Sequence, residues 1–138
     1  MLTLQIKTSK LAKALKLNTE LYLKREDQHP YGSHKGRSIP IMIKYYVKQG
    51  WRDFVISSSG NAALAATYAV ANYNKYDNKK INLTIFVGKN IDKKKSQEIF
   101  RRAQDDKNIK IKQTANPKQQ AFQIDKTGKA KNLRQSTD

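Results

Sequence analysis

Residues 21–37 read LYLKREDQHPYGSHKGR. An alternating run, with Leu21 and Leu23 between polar neighbours, stops at the charged residues 24–27 (KRED). A turn with Pro30 and Gly32 follows, and a helix is expected to start at Ser33, with Lys35 in its first turn. Helix N-termini carry roughly half an elementary positive charge, which disfavours an ammonium. Arg37 adds a second cation close by. Both are expected to push the Lys35 amine towards its neutral, nucleophilic form. A neutral amine is what Schiff-base formation with an aldehyde requires. The plainer expectation is that Lys35 is one solvated charge among the chain's 22 lysines.

A second stretch, residues 54–69, reads FVISSSGNAALAATYA. An apolar run ends in three serines, a glycine and an asparagine, and a helical pattern of small residues follows. This predicts a strand–turn–helix unit. Its turn points backbone N–H groups and short polar side chains beyond the strand's end. The plainer alternative is an ordinary turn with a good helix cap.

Together, KRED…GSHKGR and SSSGNAALA resemble the fold-type-II family of pyridoxal-phosphate enzymes. That family includes threonine synthase, threonine dehydratase, cysteine synthase and the tryptophan synthase β subunit. It shows a K-x-E…N-P-T-G-S-F-K-D-R pattern followed by an S-G-N turn. Lys24, Glu26, Pro30, Gly32, Ser33, Lys35 and Arg37 stand in matching places, then Ser59, Gly60 and Asn61. The chain departs from the pattern at His29, Tyr31, His34 and Gly36. A histidine just before the lysine is similar to the tryptophan synthase β pattern.

The resemblance implies pyridoxal phosphate as cofactor and Lys35 as its Schiff-base lysine and proton shuttle. It implies Asn61 at the cofactor's ring hydroxyl. It places the substrate carboxylate on Ser58, Ser59 and the turn that runs through Gly60 and Asn61. Ser33 and Arg37 would be structural, and His34 a packing residue. The implied substrate is an amino acid and the chemistry β-elimination or replacement, with a threonine synthase-like enzyme preferred and a homodimer possible when complete.

The 138 residues suffice for one domain with a modest core, at 38% hydrophobic content. No apolar run approaches the ~20 residues of a membrane helix, and residues 1–18 do not read as a signal peptide. There is no cysteine, so a reducing cytoplasm is the default. His29 and His34 lack zinc-type partner spacing, and no metal is expected. The net charge of +17 invites a nucleic-acid reading. It is spread, about +7, +4 and +6 over residues 1–50, 51–100 and 101–138. Only Lys93, Lys94 and Lys95 cluster, without interleaved aromatics. Any nucleic-acid binding is therefore expected to be non-specific and salt-sensitive.

Along the chain, periodicity predicts a helix over 8–18 with a stripe of Leu11, Ala14 and Leu15, and a strand over 20–24. The helix from Ser33 should loosen at Pro40 and stop at Gly50. Strands are expected over 53–58, 82–87 and 109–111. Helices are expected over 61–74, over 92–104 with Asp92 as cap, and from Asn116-Pro117 to about 127. The alternation implies an α/β fold, a parallel Rossmann-like three-layer sheet. By resemblance, this is the N-terminal part of the fold-type-II fold. Residues 1–52 would carry the cofactor-lysine helix and 53–138 a small parallel α/β domain.

The family grips the cofactor phosphate with a glycine-rich loop. The six glycines here stand at 32, 36, 50, 60, 88 and 128, without a cluster. The expectation is an N-terminal portion whose missing C-terminal part is supplied in cis or in trans. The alternatives are a non-catalytic small α/β module and a basic nucleic-acid-binding module.

Overall fold

The computed structural model describes residues 2–89 and 93–134, the side chains of 93–95 excepted. Asp92, the expected helix cap, lies outside the described residues, as do the side chains of the lysine cluster at 93–95. The chain begins with β1 (Gln5–Lys7), α1 (Ser9–Ala14) and β2 (Tyr22–Lys24). β1 pairs antiparallel with β2, Ile6 opposite Leu23, and this first strand is absent from the sequence expectation. The stripe expected on α1 does not form. The helix is under two turns long and Lys16 turns the chain at φ 54°. Leu11 and Leu15 are 40% and 57% exposed, and Ala12 is the buried residue.

A 3₁₀ turn, Glu26–Gln28, leads to α2 (Lys35–Lys48). The helix starts two residues later than the sequence suggests, because Ser33 acts before it. The Ser33 hydroxyl oxygen accepts the Lys35 N–H at 3.2 Å. The helix also runs through Pro40 as one element. Proline removes one hydrogen bond but holds a helical φ, and the buried Ile39 and Ile43 anchor the helix on either side. Gly50 then takes φ 96°, a conformation that favours glycine, and ends the segment.

The rest alternates: β3 (Asp53–Ser57), α3 (Asn61–Tyr76), β4 (Asn82–Val87), α4 (Lys93–Gln104), β5 (Ile109–Gln113), α5 (Pro117–Lys126) and β6 (Lys131–Asn132). The four strands form one parallel sheet in the order β5-β4-β3-β6. Pleating sends alternate side chains to opposite faces. Phe54 and Ile56 pack with Ile39, Ile43, Ala63 and Ile99, so α2, α3 and α4 cover one face. Val55 and Phe86 pack with Ala121 and Ala130, so α5 covers the other. The result is the expected three-layer α/β arrangement. Buried alanines at 63, 65, 66 and 69 let α3 lie close to its neighbours. Asn116 caps α5 by position, with Pro117 at its start, but makes no side-chain cap bond.

Candidate functional site

The strand order reverses at β3. From β3 the chain steps outward to β4 and β5, then α5 returns it across the opposite face to β6 on β3's other side. Connections that leave two adjacent strands in opposite directions open a crevice at the strands' carboxyl ends. A cleft of about 750 Å³ lies there, with Lys35, Ser57, Ser58, Lys118, Asn132 and Arg134 among its lining residues. A neighbouring cleft of about 470 Å³ is lined by Ser57, Ser58 and Ser59, and by Gly88 after β4.

Lys35 reaches the larger cleft from the first position of α2, half-buried. Its helix is tied down by the segment before it. Arg37 Nε donates to Glu26 Oε2 at 2.8 Å and Nη2 donates to Glu26 Oε1 at 2.9 Å. Nη2 also donates to Thr3 Oγ1 at 2.9 Å. Thr3 Oγ1 donates to Glu26 Oε1 at 2.6 Å, and Lys24 Nζ donates to the Thr3 carbonyl. Hydrogen bonds from Arg37 and Thr3 hold the Glu26 carboxyl far below its usual range, at about 2. Lys24, Glu26 and Arg37 of the sequence pattern are therefore one bonded group that fixes α2 to the N-terminal strands. This corrects the expectation that Arg37 acts on Lys35 as a bare second cation. Its charge is offset by Glu26.

The serine turn closes on itself. The Gly60 N–H donates to Ser58 Oγ at 3.3 Å, and the Gly60 carbonyl accepts the Leu64 N–H at 3.1 Å in the first turn of α3. Lys35 and Ser58 share the larger cleft, and Ser58 and Ser59 share the smaller one. Gly60 and Asn61 line neither. Asn61 is the first residue of α3, exposed, and its side chain bonds to no described residue. Ser57 lines both clefts, although the sequence places it inside the strand expected over 53–58 and gives it no role. Lys118, Asn132 and Arg134 were also missed, because a return crossover to β6 is not visible as a periodicity.

Residues 3–104 match the family described as "Pyridoxal-phosphate dependent enzyme".

The chain belongs to this family.

A 51-residue stretch, 37% of the chain, is 49% identical to the human L-serine dehydratase/L-threonine deaminase, of which it covers 16%. The Mus musculus enzyme of the same description is 47% identical over 51 residues. Among solved structures, diaminopropionate ammonia lyase of Escherichia coli superposes with a TM-score of 0.78 at 11% identity, covering 100% of this chain and 41% of that one. O-ureido-L-serine synthase superposes with a TM-score of 0.73 at 16% identity, covering 99% and 42%. The chain thus spans about two fifths of the solved structures it resembles, and these likenesses show the shared fold.

The cofactor of the pyridoxal-phosphate family needs a lysine amine, hydroxyl or amide donors, and a cationic surrounding. The cleft offers Lys35, the hydroxyls of Ser57 and Ser58, and the side chains of Lys118 and Arg134. Donor set and family chemistry agree.

Proposed function

We propose that this chain forms the lysine face of a pyridoxal-phosphate site that acts on a small amino acid by β-elimination or replacement. The observation that supports it is the convergence of Lys35 and Ser58, from segments far apart in sequence, on one cleft at the sheet's topological switch point. When bound, pyridoxal phosphate supplies an electron sink that acidifies the substrate's Cα–H. Of the two lysines that line the cleft, Lys35, at the start of α2 and in the place of the family's lysine, is the one that holds the cofactor covalently and then takes and returns that proton. Ser58, Ser59 and the N–H groups of the turn through Gly60 bind the substrate carboxylate at the start of α3. Asn61 meets the cofactor's ring hydroxyl, and Arg37 positions Lys35 through its bonds to Glu26.

Removal of the α-proton is common to threonine synthase-like and dehydratase chemistry. The stretch shared with serine dehydratase/threonine deaminase favours elimination from a hydroxy amino acid. In this reading the phosphate is gripped by residues beyond these 138, in the same polypeptide or a second one. The absence of cysteine suits a cytoplasmic setting.

The test is borohydride reduction of the enzyme that carries the phosphate-binding part, followed by peptide mapping. The label is expected on Lys35, and a label on another lysine overturns the assignment.

A further inference from the structure

Tyr31 stands where the family's lysine pattern has a threonine, and it is where the lysine turn is gripped from outside. Arg37 fixes α2 beyond Lys35, through Glu26 and Thr3. The turn that feeds Lys35 into the helix needs a hold of its own. Within it, the Gly32 N–H donates to the His29 carbonyl at 2.7 Å, and Ser33 Oγ accepts the Lys35 N–H. Tyr31 sits inside this tight run and also lies against the backbone on the far side of Lys35. Its Cβ is 2.8 Å from the place that a Cβ on Gly36 would take. A displacement of Tyr31 therefore reaches Lys35 from both neighbours.

The hold on Tyr31 comes from two other helices. Its ring stacks on that of Tyr68 in α3, with 9° between the planes and 5.2 Å between the centroids. Tyr68 is in turn fixed from α4 at two points. Its hydroxyl donates to Glu98 Oε1 at 3.1 Å, and the Arg102 guanidinium lies 4.8 Å from the centre of its ring. α4 is itself anchored in the core by Ile99.

Arg102 is the unusual member. Glu98 is taken by Arg101, whose Nη2 donates to Oε1 at 2.8 Å and whose Nε donates to Oε2 at 3.2 Å. Arg102 Nε comes within 3.5 Å of Glu98 Oε1, is buried, and makes no hydrogen bond to a described residue. Buried polar groups are hydrogen-bonded as a rule. What Arg102 gains in exchange is its contact with the Tyr68 ring. An arginine placed for hydrogen bonding would not sit this way, whereas one placed to press on a ring would.

We propose that Tyr31 is a positioning residue for Lys35, held in place from α4 by Arg102 through Tyr68. The inference rests on the reading of Lys35 as the lysine that acts in the cleft. It adds that the place of Lys35 is set by a helix more than 60 residues further along the chain. Functional side chains need such support from rigid elements around them.

The experiment follows Lys35 directly in the chain. Its lysines are dimethylated with ¹³C by reductive methylation, and the Lys35 signal is assigned by its loss in Lys35→Arg. Arg102→Ala and Tyr31→Ala should each move that signal towards those of exposed lysines. Tyr31→Phe keeps the ring and should leave it in place. Ile85→Val, a mild core substitution on β4, should lower stability and leave it in place too. A Lys35 signal unmoved in Arg102→Ala overturns the proposal, and this variant carries the test even if Tyr31→Ala fails to fold. Equal movement in Ile85→Val overturns it as well, because loss of stability is then sufficient. Borohydride labelling reports separately on which lysine holds the cofactor, so either reading can fail without the other.

Discussion

The imidazole of His29 occupies the space that a side chain on Gly36 would need. A Cβ at position 36 would stand 2.3 Å from His29 Cε1 and 2.8 Å from Tyr31 Cβ. The ring is held there by its own turn, since His29 Nδ1 accepts the Tyr31 N–H at 3.1 Å. Tyr31 in turn stacks on Tyr68 of α3, ring centroids 5.2 Å apart, and Arg102 of α4 lies 4.8 Å from the centre of the Tyr68 ring. His29 and Gly36 are two of the four positions at which the chain departs from the family's lysine pattern. They are one feature, a ring and the gap that receives it.

Gly36→Ala should therefore destabilise the chain by about 1–3 kcal/mol, the usual range for overpacking. Adding His29→Ala should recover the part of that loss that the ring causes, helped by alanine's intrinsic helix preference over glycine of about 1 kcal/mol, while the contact with Tyr31 Cβ remains. Chemical denaturation of both single variants and the double variant gives the coupling. Strictly additive losses would mean that ring and glycine are independent.

The Glu26 carboxylate should give the fold an acid-sensitive component. Its folded-state value, about 2, lies below the ordinary 4.5. The stabilisation is then fully present above the ordinary value and is lost as pH falls through the interval between the two. Thermal melts between pH 2 and 7 should show a steeper acid decline for the parent than for Glu26→Gln. Parallel curves would show that the pair with Arg37 contributes nothing to the pH dependence.

Asn61→Ala is expected to spare the fold, with a stability change within about 0.5 kcal/mol, since the side chain is exposed and bonds to no described residue. In the complete enzyme it should lower retention of pyridoxal phosphate and raise KM for the amino acid. Cofactor content after dialysis and steady-state kinetics measure this. Parent-like values in both would remove Asn61 from the site.

The 138 residues alone should bind pyridoxal phosphate weakly and turn over no amino acid, because a phosphate dianion needs converging donors. A visible-absorbance titration with and without the phosphate-binding part decides this. Stoichiometric binding by the 138 residues alone would place the phosphate grip among them.

The parts of the fold that follow from local pattern were legible in the sequence. Residues 82–87 form an apolar run closed by Gly88, and β4 has those bounds. The turn at Ser58 to Asn61 follows from serine, glycine and asparagine at a strand's end. What could not be read depends on tertiary pairing. β1 is three residues, and its pairing with β2 supplies the order that its own sequence does not signal. β6 is two residues and exists because β3 has a free edge beside it. Since β6 carries Asn132 into the cleft, missing the strand meant missing the residue. The structural role expected of Arg37 was legible, but its partners were not, for the same reason. Its proximity to Lys35 is local and visible, whereas its bonds to Glu26 and Thr3 span 11 and 34 residues.

The pairing of β6 with β3 also has a consequence during synthesis on the ribosome. β3 ends at residue 57, but the strand that covers its second edge is made only at residues 131–132. Until then the nascent chain carries a strand with an open row of backbone donors and acceptors. Val55 and Phe86 also lack the cover of α5. Open edges with apolar flanks are where chains pair wrongly with one another. Nascent chains arrested shortly before residue 131 should therefore depend on chaperones and aggregate when released. That dependence should fall once β6 has cleared the exit tunnel.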